Sequence, residues 1–215
     1  MRTVTATAEI SDLATPHGPA RVHVHPAAGA VAAVVLGHGA GGGVGAPDLR
    51  AATEAALGAG CSVALVEQPY RVAGRRSPAP APQLDAAWTA VVAQLRDGPF
   101  AGLPVVCGGR SAGARVACRT AGATDAIGVL CLAFPLVPPQ RRGATRAPKT
   151  RQDELDAVSV PVLVVQGEND RFGMPEARPP HRTVVRLHGD HRLASDAPGL
   201  RAAVADWLGG VTSHR

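Results

Sequence analysis

A short apolar run, Val105-Val106-Cys107, enters Gly108-Gly109-Arg110-Ser111-Ala112-Gly113 and leaves toward Ala114-Arg115-Val116-Ala117. That order predicts a strand, a sharp elbow-like turn and a helix. The serine takes a strained backbone position, while Gly109 and Gly113 remove side chains that would collide as the helix turns back across the strand. The Ser111 hydroxyl is thereby lifted to the top of a sheet. The backbone N–H of Ala112 faces the same space near a helix N-terminus, where negative charge is favoured. Alone, the five residues read equally well as a glycine-rich turn with an incidental serine, so the surroundings must decide.

Those surroundings alternate strand and helix from residue 30 onward. Val31–Leu36, Cys61–Val66, Val105–Cys107, Ile127–Phe134 and Val160–Val165 are apolar on both faces, as central parallel strands must be, and Thr183–Leu187 adds a last strand. Between them, helical spacing predicts helices from about Pro47 to Leu57, Gln83 to Leu95, the elbow to Ala121, and Leu200 to Leu208. Leu84, Ala87, Trp88, Val91, Val92 and Leu95 make the core-facing stripe of the second. The segment before it, Ser77-Pro78-Ala79-Pro80-Ala81-Pro82, is stiff and helix-incompatible, closing a long loop opened by Glu67-Gln68-Pro69-Tyr70-Arg71.

Ahead of all this, Val4, Ala6, Ala8 and Ile10 alternate with polar residues, and Arg21–His25 repeat the period of two after a Pro16-His17-Gly18-Pro19 turn, predicting an antiparallel hairpin. The expected fold is α/β: a mostly parallel twisted sheet of about seven to eight strands, helices on both faces and ligand loops at the carboxyl ends of the strands. No repeat or boundary interrupts residues 1–215, so the expectation is one domain.

A net charge of +5 permits nucleic-acid binding, but no basic face or recognisable module accompanies it, and none is expected. The basic residues are almost all arginine. They fall in loops, as Arg71, Arg75, Arg76, then Arg141, Arg142, Arg146, Arg151, then Arg178, Arg182, Arg186. If those loops share one end of the sheet, they form a soluble rim or favour an anionic substrate. Cys61, Cys107, Cys118 and Cys131 lack metal spacing and read as free core thiols in a reducing compartment. His23 and His25 point to one face without a third ligand, so no metal is expected. No run has signal-peptide or membrane-span character, giving the expectation of a cytoplasmic protein with no membrane partner.

A serine hydroxyl is a weak nucleophile at neutral pH, so the elbow needs a base, and the base a group that fixes its tautomer. The order on this architecture is serine, acid, histidine. Val162–Gln166 ends in Gly167-Glu168-Asn169-Asp170, and the next strand ends in Leu187-His188-Gly189-Asp190-His191. Asp170 and His191 are the candidates. Glu168 competes with Asp170, although the later acid is better placed to reach out of the turn. His188 competes with His191 but still belongs to the strand, as a core or supporting residue. Asp190 could hardly reach round to the ring of its neighbour. Gly39-Ala40-Gly41-Gly42-Gly43, after the Val31–Leu36 strand, lets backbone approach a substrate carbonyl, and Ala40 N–H would join Ala112 N–H around a developing oxyanion. A phosphate-binding loop is the competing reading, but neither Gly-Lys-Ser/Thr nor an ordered Gly-x-Gly-x-x-Gly is present.

With these residues together, the chain resembles the α/β-hydrolase superfamily over essentially its whole length. It is most similar to the small branch near dienelactone hydrolases that includes the testis-expressed hydrolase-like proteins and their bacterial relatives. The resemblance is carried by Gly37-His38-Gly39-Ala40-Gly41, Gln68-Pro69-Tyr70-Arg71 with Ala73-Gly74-Arg75-Arg76, Gly108–Gly113, Phe134-Pro135-Leu136, Gly167-Glu168-Asn169-Asp170 with Phe172-Gly173, and Gly189-Asp190-His191. It implies a cofactor-free hydrolase with Ser111, Asp170 and His191 as triad. Dienelactone hydrolases proper carry cysteine at the elbow, so their substrate does not transfer.

Residues 135–159 are too few and too rich in proline and arginine for a helical lid, so little or no cap is expected. His38, Gly41, Arg71 and Arg110 are candidate substrate contacts. For Arg71 and Arg110, pairing with acids beside the elbow is an equal alternative. The expected function is hydrolysis of a small soluble ester or thioester. An interaction or scaffold protein on the same fold, and an acyltransferase or cofactor-free perhydrolase using the same site, are the alternatives.

Overall fold

The computed structural model describes residues 8–139 and 148–213. Strands β1 (Glu9–Leu13), β2 (Ala20–His25), β3 (Ala32–Gly37), β4 (Cys61–Glu67), β5 (Val105–Arg110), β6 (Gly128–Leu132), β7 (Val162–Gly167) and β8 (Arg182–Leu187) form one sheet in the order β1-β2-β4-β3-β5-β6-β7-β8. β1, β2 and β4 pair antiparallel in turn, and every pairing from β4 across to β8 is parallel. The helices are α1 (Pro47–Gly58), α2 (Pro69–Val72), α3 (Ala81–Asp97), α4 (Ala112–Thr120), α5 (Gln152–Asp156) and α6 (Ala197–Thr212).

Alternation along the buried strands sorts their side chains into two cores. Val35, Val66, Cys107, Cys131 and Val164 face α3 and α4, whereas Val34, Leu65, Val106, Leu130 and Leu163 face α1 and α6. Each strand is therefore apolar throughout, which is the signature its sequence carries. All four cysteines are buried and unpaired.

The order of strands sets the position of the site. β3 lies between β4 and β5, so the chain leaving β3 and the chain leaving β5 depart from adjacent strand ends to opposite faces of the sheet. A crevice opens at such a switch point, outside the carboxyl ends of the strands. Gly37 and Gly109 are register partners at that end. Trp88, fully buried, passes under Gly37, where an added Cβ would sit 3.1 Å from its ring.

Some expectations need correction. Helix α3 begins at Ala81, so the proline segment is not helix-incompatible to its end: Pro82 lies in the first turn, where the missing N–H is no loss. The residues after Glu67 form the short helix α2 rather than opening directly into a loop. Strand β1 is nearly all exposed, with Ile10 at 60%, because it is the sheet edge and one face has nothing to cover it. Val4 and Ala6, from the same predicted alternation, lie outside the described residues. The arginine loops do not gather at one end of the sheet. Arg182 enters β8 at the end opposite the crevice and is buried against Asp156, with Arg178 beside it. Arg141, Arg142 and Arg146 fall outside the described residues.

Between β6 and β7, the described residues carry only the short helix α5, so no large cap covers the crevice from there. No described helix is long and apolar enough to cross a membrane.

Candidate active site

Ser111 caps β5 with φ 51° and ψ −105°, a left-handed conformation that costs a non-glycine residue on the order of 1–3 kcal/mol. Its surroundings hold it there. The Ser111 N–H donates to the Leu132 carbonyl at the end of β6 (2.9 Å), and its own carbonyl accepts from Arg115 N–H as α4 begins. Gly109 and Gly113 are glycine for a steric reason: a Cβ on either would collide with the Gly37 carbonyl of β3. The crossing of α4 over the strand end depends on both.

His191 lies beyond β8. Its Nε2 is 3.0 Å from Ser111 Oγ and its Nδ1 is 2.8 Å from Asp170 Oδ2. The Asp170 side chain is fully buried, and its other oxygen accepts the Phe172 N–H at 2.9 Å. A carboxylate at Nδ1 can only accept, so Nδ1 carries the proton and Nε2 is left to accept from the serine hydroxyl. The loop that brings His191 over passes close to β7, and a Cβ at Gly167 would strike the Asp190 carbonyl. Phe172 packs edge-on against the His191 ring, with centroids 4.5 Å apart.

Gln166 is a residue that sequence reasoning missed. It is completely buried, and its Nε2 donates among Asp170 Oδ2 (2.8 Å), the Gly173 carbonyl (2.9 Å) and the Phe134 carbonyl (3.0 Å). Three acceptors around one nitrogen fix the amide's orientation. The signal was present: one polar amide in the otherwise apolar run Val162–Gly167.

His38 is not a substrate contact. It is 3% exposed, its Nε2 accepts the Gln68 N–H (3.1 Å), and its Nδ1 donates to the Gly39 carbonyl (2.8 Å). The adjoining peptide unit is trans, so the Ala40 N–H points away from the carbonyl that His38 holds. Tyr70 Oη donates to the Ala40 carbonyl at 3.0 Å, fixing the next peptide too. Burial pushes the His38 pKa down, against the favourable bond to Gly39. The unfolded chain thus binds a proton near pH 6.5 that the folded chain resists, so stability is full above that pH and falls as pH drops through it. Thermal unfolding between pH 7.5 and 5.5 is expected to show this decline, shallower in His38→Gln; an equal slope in both proteins would contradict the assignment.

Gly41 is exposed, with open space where a Cβ would stand, and Arg71 on α2 lies outside the cleft beside Ser111. For Arg110 the pairing alternative holds. Its Nε lies 2.9 Å from Asp48 Oδ2, a fully buried carboxylate at the start of α1, and its Nη2 donates to the His191 carbonyl at 3.2 Å. Burial raises the Asp48 pKa, and Arg110 works against that rise. A side chain on Gly39 would meet the Arg110 guanidinium, so the first glycine of the loop makes room for this strut. His188 is an exposed residue past the end of β8, bound to Glu168 at 2.7 Å, and not a core residue. Both competing side chains therefore satisfy each other at the surface. His23 binds Glu67 at 2.7 Å, and among the described residues no group of three or more potential ligands could hold a metal.

A cleft of about 310 Å³ opens beside Ser111, Ala40 and Ala112, walled by Leu84, Pro135 and Phe172. Among the described residues, neither the Ala40 nor the Ala112 N–H donates to a protein acceptor.

Residues 30–196 match a family model described as Alpha/beta hydrolase domain. The chain belongs to that family. Several solved structures share its fold at low sequence identity. An alpha-beta serine hydrolase homologue from Coxiella burnetii aligns with a TM-score of 0.73 at 14% identity, covering 97% of this chain and all of its own. A Xanthomonas campestris protein described as an a/b serine hydrolase without lid gives 0.72 at 20%, covering 97% and 96%. Dienelactone hydrolase from Anabaena variabilis gives 0.72 at 17%, covering 96% and 97%. No curated protein sequence matches the chain significantly.

Proposed function

We propose that this α/β hydrolase is a serine hydrolase acting on small, soluble esters or thioesters through an acyl-enzyme intermediate. The observation that carries the reading is the relay from Ser111 Oγ through the His191 ring to Asp170, at 3.0 and 2.8 Å. Ser111 attacks the substrate carbonyl as His191 Nε2 takes its proton, and Asp170 stabilises the imidazolium. The same Nε2–H then protonates the leaving oxygen or sulfur. Water, activated in turn by His191, releases the acid and restores the serine.

The N–H groups of Ala40 and Ala112 are the proposed donors to the tetrahedral oxyanion, each contributing about 3–4 kcal/mol at the transition state. Supporting Ala112 is its place at the first turn of α4, and supporting Ala40 is the double anchoring of its flanking carbonyls by His38 and Tyr70. With no large cap among the described residues, the crevice favours short acyl chains. Better turnover of long-chain than short-chain nitrophenyl esters would contradict that.

The test is covalent labelling with a fluorophosphonate followed by peptide mapping. Modification at Ser111, weakened in His191→Ala, is the expected result. A folded, unlabelled protein would leave the relay unreactive and direct attention to partner capture, as for a scaffold protein.

A further inference from the structure

The wall of the Ser111 cleft is cationic. Arg115 and Arg119 project from α4 one and two turns beyond the nucleophile, roughly 6 and 12 Å along the helix axis, and Arg151 joins them from the segment before α5. Two of the three charges are matched. Arg115 forks onto Glu154, and Arg119 forks onto Asp85 while also approaching Glu154.

Arg151 has no carboxylate partner among the described residues. Its Nη1 donates to the Pro135 carbonyl at 2.7 Å and its backbone N–H to the Leu136 carbonyl at 2.8 Å, which holds the guanidinium in place without neutralising it. Among the described residues, three guanidinium groups against two carboxylates leave one positive charge at the cleft wall. Partial burial and the neighbouring Arg115 push the Arg151 pKa down from its ordinary value, while Glu154, already forked by Arg115, works the other way from beyond hydrogen-bond reach.

The two sides of Ser111 differ in which half of a substrate they can take. The leaving group must face His191 to receive a proton, and His191 lines a separate opening with Arg110, Asn169 and Arg192. The arginine-walled cleft includes Ser111, Ala40 and Ala112 but not His191, so it receives the acyl half.

Building on the serine-hydrolase reading, we propose that Arg151 selects an acyl group ending in a carboxylate, making the preferred substrates half-esters or half-thioesters of short dicarboxylic acids. A single excess charge matches a monoanionic carboxylate better than a dianionic phosphate, and a planar guanidinium offers it two parallel donors. A glutaryl chain sets its far carboxylate about 5 Å from the scissile carbonyl, within the cleft that Ser111 and Arg151 both line.

The test compares monomethyl glutarate with its neutral, same-chain analogue methyl valerate by pH-stat. Wild-type kcat/KM is expected to favour the half-ester at least tenfold at low ionic strength, with the ratio shrinking in 0.5 M salt. Arg151→Gln should bring the ratio toward one. Arg201→Gln, which removes an equal charge from the exposed Glu54 pair on α6, should keep it.

Wild type that turns over methyl valerate without preferring the half-ester overturns the selection and leaves the hydrolase reading standing. So does a preference unchanged in Arg151→Gln, or, should that variant not fold, a wild-type preference insensitive to salt. Turnover of neither ester, with no fluorophosphonate labelling, would overturn the hydrolase reading and this one with it.

Discussion

Ser111→Ala is expected to lower kcat for a short nitrophenyl ester by roughly 10⁴- to 10⁶-fold, because it removes the atom on which the proposed acyl-enzyme forms. The size of the loss can be assigned to chemistry because the substitution disturbs little else. Among the described contacts, the hydroxyl bonds only to His191 Nε2, while the backbone bonds to Leu132 and Arg115 do not involve the side chain. Alanine at φ 51° bears much the same strain as serine. The melting temperature should therefore move by no more than a few degrees. Because both proposed oxyanion donors are backbone N–H groups, they survive the change, and a residual rate above the uncatalysed reaction is expected. A variant with a tenth or more of wild-type activity would show that another group supplies the nucleophile.

The parts of this site that could be read from sequence are those where chain order and backbone chemistry coincide. Gly109 and Gly113 flank Ser111 because a Cβ at either would meet β3, so the need for a close crossing is written at fixed offsets around that serine. Asp170 and His191 follow successive strand ends, and a parallel sheet brings all such ends to one edge. What sequence concealed was which polar groups face each other across distant segments. His38 sits in the glycine loop and looks like a substrate contact, yet its partners are the Gln68 N–H after β4 and its neighbour Gly39. Arg110 adjoins Ser111, but its charge is held by Asp48 on α1. Arg151 was one arginine among several in loops. Its distinction is the absence of a counterion within the described wall, a property of three-dimensional charge balance that no spacing encodes.

Asp170→Asn is expected to reduce kcat by about 10⁴-fold and, by leaving donors opposed in a buried site, to lower stability by about 1–3 kcal/mol, and the hydrogen bonds around the carboxylate dictate why. Asp170 accepts from three donors: Phe172 N–H at Oδ1, and both the Gln166 amide and His191 Nδ1–H at Oδ2. An asparagine offers one acceptor oxygen and one donor nitrogen in the same envelope. If its oxygen stays with the Phe172 N–H, its NH₂ faces Gln166 and His191. Gln166 cannot turn its own oxygen there without abandoning the Phe134 and Gly173 carbonyls. His191 can respond more cheaply by accepting at Nδ1 and moving its proton to Nε2. That tautomer presents N–H to Ser111 Oγ, and no base remains to take the hydroxyl proton. If the asparagine turns instead, its NH₂ opposes the Phe172 N–H, and the loop carrying Phe172 against the imidazole must shift. Activity should recover partly at high pH, where hydroxide can replace the missing base, and fluorophosphonate labelling should slow in parallel with turnover. Near-wild-type kcat in a folded Asp170→Asn protein would mean that the imidazole takes its orientation from other contacts, with Phe172 and the Arg110 bond to the His191 carbonyl as the groups to remove next.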